Sequence, residues 1–182
     1  MGVIITGGAY RGKKLDTDTP AQVIRPTSGK VREALFSSLG EALIDSTFVD
    51  LYAGSGAVGL EAVSRGAAEA HLVENHSQSL VLLKANCASV LGKGPDAGKA
   101  LIVRSDAAAF GRRMREDGRR FDFVFADPPF GDDFSGLKEL VSGLLAPGGK
   151  GVIQFPSRNP PAWLEQADKL KKYGESGLAF FT

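Results

Sequence analysis

Asp50-Leu51-Tyr52-Ala53-Gly54-Ser55-Gly56-Ala57-Val58-Gly59 is the stretch on which the fold turns. It is entered from an apolar run starting at Thr47 and left through a helix-like segment, Val58 to Ser64, so it reads as strand, glycine-rich turn, helix. Glycines let the backbone turn sharply and approach a ligand that a Cβ would push away, and the helix that follows presents unpaired amides. Gly54, Gly56 and Gly59 also satisfy the spacing G-x-G-x-x-G, a weak signal taken alone. Glu74 closes the next strand, about twenty residues on, where a carboxylate can accept both hydroxyls of an adenosine ribose. Turn and acid together point to a nucleoside-containing cofactor, held at Asp50, Tyr52, Ala53, Gly54, Gly56 and Glu74.

Outward from this stretch the alternation continues. Strands are expected near Ala70 to Glu74, Leu101 to Arg104, Phe121 to Ala126 and Gly151 to Phe155, with helices near Ser79 to Leu91, Ala107 to Arg115, Ser135 to Leu144 and Pro161 to Lys171. Leu178 to Phe181 suits a last strand, pairing antiparallel at the sheet edge. Upstream, Val31, Leu35, Leu39 and Leu43 recur every fourth residue along one helical stripe, with Thr27 or Ser28 as its cap. Repeated strand and helix predict an α/β fold, a mostly parallel sheet covered by helices on both faces. A chain of 182 residues suits one domain, and Gly92 to Gly98 reads as a surface loop.

The net charge of +1 hides an asymmetry. The first 32 residues carry six bases (Arg11, Lys13, Lys14, Arg25, Lys30, Arg32) and two acids (Asp16, Asp18), giving +4; the remainder, with 16 bases and 19 acids, carries −3. A solvated basic face is the ordinary explanation of such an excess, and a basic arm ahead of a neutral-to-acidic body is also how a protein positions itself on phosphates; charge alone does not choose between them. No apolar run approaches the ~20 residues needed to cross a bilayer. The single cysteine, Cys87, has no partner for an internal disulfide, and no leader pattern opens the chain. The expected location is the cytoplasm, with no membrane partner. One cysteine and two histidines supply no cluster with metal-ligand spacing, so no metal is expected.

Two further features narrow the cofactor. Asp50 stands four residues before the first glycine, where nicotinamide-binding strands run apolar; an acid there can hold the amino group of an amino-acid-bearing nucleoside such as S-adenosylmethionine. Asp127-Pro128-Pro129-Phe130 follows the apolar strand Phe121 to Ala126 and should face the same crevice, since ligands bind at the carboxyl ends of strands in open α/β sheets. Two prolines remove backbone donors and stiffen the loop, leaving carbonyl oxygens such as that of Pro128 to accept. A carboxylate and a carbonyl can together accept hydrogen bonds from an exocyclic amine, while the aromatic ring of Phe130 stacks on the base that carries it.

These residues resemble the S-adenosylmethionine-dependent amino-methyltransferases with a D/N-P-P-[YF] motif. More closely, Arg25-Pro26-Thr27, Val31 to Phe36, Asp50 to Gly59, Glu61-Ala62, Ser64 to Ala67 and Asp127 to Phe130 are similar to the RsmD-type bacterial 16S rRNA (guanine-N2) methyltransferases. The resemblance implies a single Rossmann-like class I methyltransferase domain over 27–182 with a seven-stranded sheet. A basic arm, 1–26, read as a β-hairpin, would reach toward RNA. It implies S-adenosylmethionine as methyl donor and a guanine of 16S rRNA, in a small-subunit particle, as acceptor, the enzyme acting as a monomer. Catalysis is carried onto Asp127, Pro128, Pro129 and Phe130; cofactor binding onto Asp50, Gly54, Gly56 and Glu74, with Asp106 near the adenine amino group; phosphate contact onto Arg11, Lys13, Arg25 and Arg32. Ser37, Tyr52 and Gln154 depart from the family pattern, where Asn, Phe and an acid are common.

Three rivals are set against this. A nicotinamide-dependent oxidoreductase explains the glycines and Glu74 but leaves Asp50 and Asp127 to Phe130 without a role. An amino-methyltransferase acting on DNA adenine or cytosine, or on protein Gln, fits the tetrapeptide equally well, and only the N-terminal likeness separates it. A non-catalytic RNA-binding assembly factor leaves the intact glycine turn and Asp127 unexplained.

Overall fold

The computed structural model describes residues 3–19, 22–23, 27–129 and 134–182. Arg25 and Phe130, two of the expected site residues, lie outside the described residues. In chain order the elements are β1 (Val3–Ile4), β2 (Lys14–Leu15), β3 (Asp18–Thr19), β4 (Gln22–Val23), α1 (Gly29–Leu39), β5 (Thr47–Asp50), α2 (Ala57–Ser64), β6 (Glu69–Glu74), α3 (Ser77–Leu91), β7 (Ala100–Arg104), α4 (Ala107–Glu116), β8 (Phe121–Ala126), α5 (Leu137–Ser142), β9 (Leu145–Pro156), β10 (Lys169–Tyr173) and β11 (Ser176–Phe181).

The central sheet has seven strands in the order β10-β11-β9-β8-β5-β6-β7. The run from β9 to β7 is parallel throughout. β11 returns antiparallel to β9, and β10 antiparallel to β11. Because β5 leads to β6 and β7 on one side while β8 and β9 lie on the other, the strand order reverses between β5 and β8. A crevice opens there at the carboxyl ends, the place where such sheets take ligands. Side-chain alternation divides the core in two. Phe48, Leu72, Phe123, Phe125 and Val152 pack with α1, α2 and α3 on one face. Val49, Val73, Val124 and Ile153 pack with Phe110 and Met114 of α4 and Val141 of α5 on the other. A register shift between Phe121 and Phe123 sends these two phenylalanines to opposite faces.

Two helices depart from the sequence expectation. The helical stripe read through Leu43 stops at Leu39, where Gly40 at φ 61° ends α1 and a 3₁₀ turn, Gly40–Leu43, follows. The helix expected over Pro161 to Lys171 is a 3₁₀ turn at Ala162–Gln166 followed by strand β10, the seventh strand of the sheet. Pro161 holds Pro160 extended and is itself extended, at φ −65° and ψ 148°, so the turn begins only at Ala162. The alternating Lys169-Leu170-Lys171-Lys172 then pairs along β11, whose backbone is available only in the tertiary structure. Lysines suit this outermost strand, because they discourage pairing with another chain.

The N-terminal residues form two short hairpins, β1 with β2 and β3 with β4. The first is fastened to the domain: Ile5 and Leu15 are buried in the α1–α3 core. Ala9 N donates to Ser64 O at 2.7 Å, and the Ser64 hydroxyl donates to Gly7 O at 2.6 Å. Gly8, at φ +79°, passes so close that a Cβ would meet Ser64 O at 1.8 Å, so only glycine fits. Asn86 of α3 bridges Asp16, through both its backbone groups, to Ser55 O in the glycine turn.

Candidate active site

β5 ends in the acid that the crevice is built around. Asp50 is 1% exposed; its Oδ2 accepts from Gly59 N at 3.2 Å, and the carboxylate is also bonded by the Tyr52 amide. Oδ1 is buried without a hydrogen-bond partner. Burial pushes the Asp50 carboxyl up to about 7, with Asp127 and Glu74 adding like-charge repulsion and the Gly59 and Tyr52 amides opposing it. Three acids therefore converge here from the ends of β5, β6 and β8. Such a cluster is stabilised by a cation, and the orphaned Oδ1 is an acceptor waiting for a donor.

The glycine turn has the geometry its sequence implies. Ala53 N donates to Val73 O at 2.9 Å, tying the turn to β6, and Gly54 and Gly56 have φ of 52° and 85°. A Cβ on Gly56 would lie 2.6 Å from Leu83 Cδ1, and one on Gly59 would lie 2.8 Å from Leu72 Cγ, so α2 rides directly on β6. Glu74 accepts from Gly54 N at 2.9 Å through Oε2, and from Asn75 N and His76 N through Oε1. These amides fix the carboxylate at the strand end and leave about one lone-pair site of four for a further donor. Asp106, at the end of β7, is exposed and caps α4 through Ala108 N and Ala109 N, both on Oδ1. The Tyr52 side chain is half-buried against the α4–α5 core.

Asp127 follows β8 and is half-buried; Pro128 is buried and Pro129 exposed. The Thr27 hydroxyl donates to Asp127 Oδ2 at 2.8 Å, so the loop is tied to the segment entering α1. The cap of α1 itself is Ser28, whose oxygen accepts from Val31 N at 3.3 Å. Two hydroxyl residues stand in sequence where a cap needs one, and that surplus is the signal by which Thr27 could have been found. A second residue passed over as a site candidate is Gln154. It is 5% exposed on β9, one position beyond the Ala126–Ile153 pair, so it stands next in register to Asp127, and its Oε1 has no partner.

The phosphate-contact assignments divide. Arg11 and Lys13 are exposed on the loop of the first hairpin. Arg32 is not available: it is 1% exposed, with Nε on Glu61 Oε2 at 3.1 Å, Nη1 on Thr27 O at 2.7 Å and Nη2 on Ile4 O at 2.6 Å. Its guanidinium is spent on a buried ion pair whose partner lies 29 residues away, which overturns the expectation of a phosphate contact. Among the described residues no cluster of three or more His, Cys, Asp or Glu could hold a metal ion, and no helix is long and apolar enough to cross a membrane.

A family profile described as Conserved hypothetical protein 95 matches residues 3–182, nearly the whole chain. The chain belongs to this family, the RsmD family. A relative from Escherichia coli strain K12 named Ribosomal RNA small subunit methyltransferase D is 42% identical over 147 residues, covering 80% of this chain and 67% of the relative. Among solved structures, a hypothetical protein from Thermus thermophilus aligns at TM-score 0.82 and 34% identity, covering 98% of both chains. An Escherichia coli protein described only provisionally as a methyltransferase aligns at 0.77 and 30% identity, covering 99% of this chain and 97% of its own. The RsmD family fold, a Rossmann-like α/β domain with a seven-stranded, mostly parallel sheet, is thus the fold of this chain.

Proposed function

We propose that this chain transfers a methyl group from S-adenosylmethionine to the exocyclic N2 amine of a guanine in 16S rRNA, within a small-subunit particle. The observation that carries the reading is the convergence of Asp50, Glu74 and Asp127 at the strand-order reversal, beside a glycine turn. Asp50 Oδ1 would take the donor's ammonium, Glu74 its ribose, and the backbone of Ala53 to Gly56 would border it closely. Asp106 would lie toward the adenine. When bound, S-adenosylmethionine supplies an electrophilic methyl on a sulfonium.

The chain's own residues then have the acceptor to prepare. A guanine N2 lone pair is delocalised into the ring and is a poor nucleophile. Asp127 and the Pro128 carbonyl, accepting its two hydrogens, hold the nitrogen in line for attack and pull it toward tetrahedral geometry. The Asp127 carboxylate also stabilises the positive charge that develops on that nitrogen as its bond to the methyl forms and the sulfur–methyl bond breaks, without taking a proton first; the nitrogen loses its proton after transfer. Phe130 would stack on the base, which must leave its helix because N2 is hidden in the minor groove of a paired guanine. Arg11, Lys13 and Arg25 on the N-terminal arm would hold flanking phosphates.

The test is transfer of labelled methyl from S-adenosylmethionine to small ribosomal subunits, and to naked 16S rRNA, lacking the modification, followed by nucleoside digestion. N2-methylguanosine is the expected product. Label in another nucleoside overturns the acceptor atom, and no label, with the cofactor bound, overturns the enzymatic reading. In the same assay Asp127→Ala should lower the rate by about 100-fold or more with cofactor affinity nearly unchanged. An equal loss of cofactor affinity would remove Asp127 from the acceptor side.

A further inference from the structure

Thr27 joins the N-terminal hairpins to the catalytic loop, and its contacts are unusually complete for a residue between two elements. It is 8% exposed. Its hydroxyl is released from capping by Ser28 and donates to Asp127 Oδ2 at 2.8 Å. Its carbonyl accepts from Arg32 Nη1 at 2.7 Å. Arg32 is in turn held by Glu61, which is fully buried and also accepts from Arg65 Nε at 2.9 Å, from Arg65 Nη2 at 2.7 Å and from the Thr6 hydroxyl. Arg32 Nη2 reaches Ile4 O, so one guanidinium ties the first strand, the entry to α1 and helix α2 together.

We propose that Thr27 is a positioning residue: its hydroxyl fixes the rotamer of the Asp127 carboxylate, and the buried Arg32–Glu61 pair fixes Thr27. The inference rests on the reading of Asp127 as the group that orients the acceptor amine. An aspartate at a strand end has two rotatable bonds, and in-line transfer needs its oxygens placed to a fraction of an ångström. A donor on Oδ2 selects one placement before substrate arrives, removing a reorganisation that the reaction would otherwise have to supply. A valine at this position fills the same volume without the donor. A serine keeps the donor and loses only a methyl group. That pair of replacements separates orientation from packing.

The experiment compares wild type, Thr27→Val, Thr27→Ser and Asp127→Ala in methyl transfer to small subunits lacking the modification, with kcat and both KM values measured. Thr27→Val should lower kcat by about 100-fold, the loss characteristic of a misplaced reacting group, with KM for S-adenosylmethionine within about twofold of wild type. Thr27→Ser should recover most of that rate. Wild-type kcat in Thr27→Val while Asp127→Ala is inactive overturns the proposal, as does a Thr27→Ser enzyme as slow as Thr27→Val. Should Asp127→Ala retain full rate, or wild type transfer no methyl, it is the reading of the site that fails. The contact is then judged by a double-mutant cycle of Thr27→Val and Asp127→Ala in urea unfolding. A coupling of about tenfold in the unfolding constant is expected for a hydrogen bond to a charged group, and additive effects overturn it.

Discussion

Asp50 carries the sharpest consequence at the scale of one residue. Its folded-state carboxyl lies at about 7, against ~3.9 in an unfolded chain, so between these values the folded protein holds a proton that the unfolded chain has released. Stability of the ligand-free protein is therefore fully present below about pH 4 and is lost as pH rises toward 7, by up to about 1.4 kcal/mol per pH unit from this group. Asp50→Asn removes the titration. At pH 8 the variant should melt higher than wild type, and its advantage should shrink as pH falls to 5. It should also bind S-adenosylmethionine far more weakly, because an amide cannot pair with an ammonium. A cation on Oδ1 favours the ionised form, so binding near pH 6 should release a proton, read as a dependence of calorimetric heat on buffer ionisation enthalpy. Parallel melting curves for wild type and variant across pH would remove Asp50 from this role.

Among elements, α2 is the one most exactingly placed, with every residue from Ala57 to Ser64 buried. Gly59 has Leu72 beneath it, and a valine there cannot be absorbed by surface relaxation. Gly59→Val should destabilise the protein by about 1–3 kcal/mol, the usual cost of overpacking, measured by urea unfolding. It should also weaken cofactor binding by moving the amide that holds Asp50. Loss of stability without loss of affinity would mean that the turn tolerates a shift of its helix. This turn was legible because its requirements are local: glycines at fixed offsets and an acid at each strand end. The parallel sheet was legible for the same reason, each strand announcing itself by apolar residues bounded by turn signals. What could not be read depended on partners distant in sequence. β10 has a composition that suits a helix and becomes a strand because β11 lies beside it. Arg32 looks like a surface base until Glu61 is brought under it, and Thr27 looks like a cap until β8 delivers Asp127. Of the stripe Val31, Leu35, Leu39 and Leu43, the first three lie on α1 and Leu43 on the 3₁₀ turn after it; α1 also buries Arg32, held by Glu61 and the Ile4 carbonyl, and Phe36, set against Phe48 and Arg65.

For the whole molecule, the basic front divides, among the described residues, into charges that face solvent and one, Arg32, that does not. Arg11, Lys13 and Lys14 are exposed on a hairpin pinned to α2 and α3, whereas Arg32 is locked beneath it. If the hairpin binds RNA, affinity should fall steeply with salt, and each phosphate contact removed should reduce the slope of log affinity against log salt by about 0.7–0.9. Arg11→Ala with Lys13→Ala should therefore flatten the slope by about 1.5 while leaving the melting temperature nearly unchanged, since exposed charges contribute little to stability. Arg32→Ala should do the reverse. It takes from the buried Glu61 one of its two arginine partners and from the Thr27 and Ile4 carbonyls the guanidinium that donates to them, and should destabilise the fold by about 3–5 kcal/mol. In whatever fraction stays folded at low temperature, the salt slope should match wild type. Measuring binding to 16S rRNA at several salt concentrations, alongside unfolding, distinguishes the two. An unchanged slope in the double variant would place the hairpin on a passive surface, and a flattened slope in Arg32→Ala would mean that the buried guanidinium emerges to meet RNA. The same comparison bears on how the chain is organised. A hairpin that merely carried charge could be attached loosely, whereas here its backbone shares the Arg32 anchor with Thr27, so the strand behind the surface that would meet phosphate is joined through one guanidinium and one hydroxyl to Asp127.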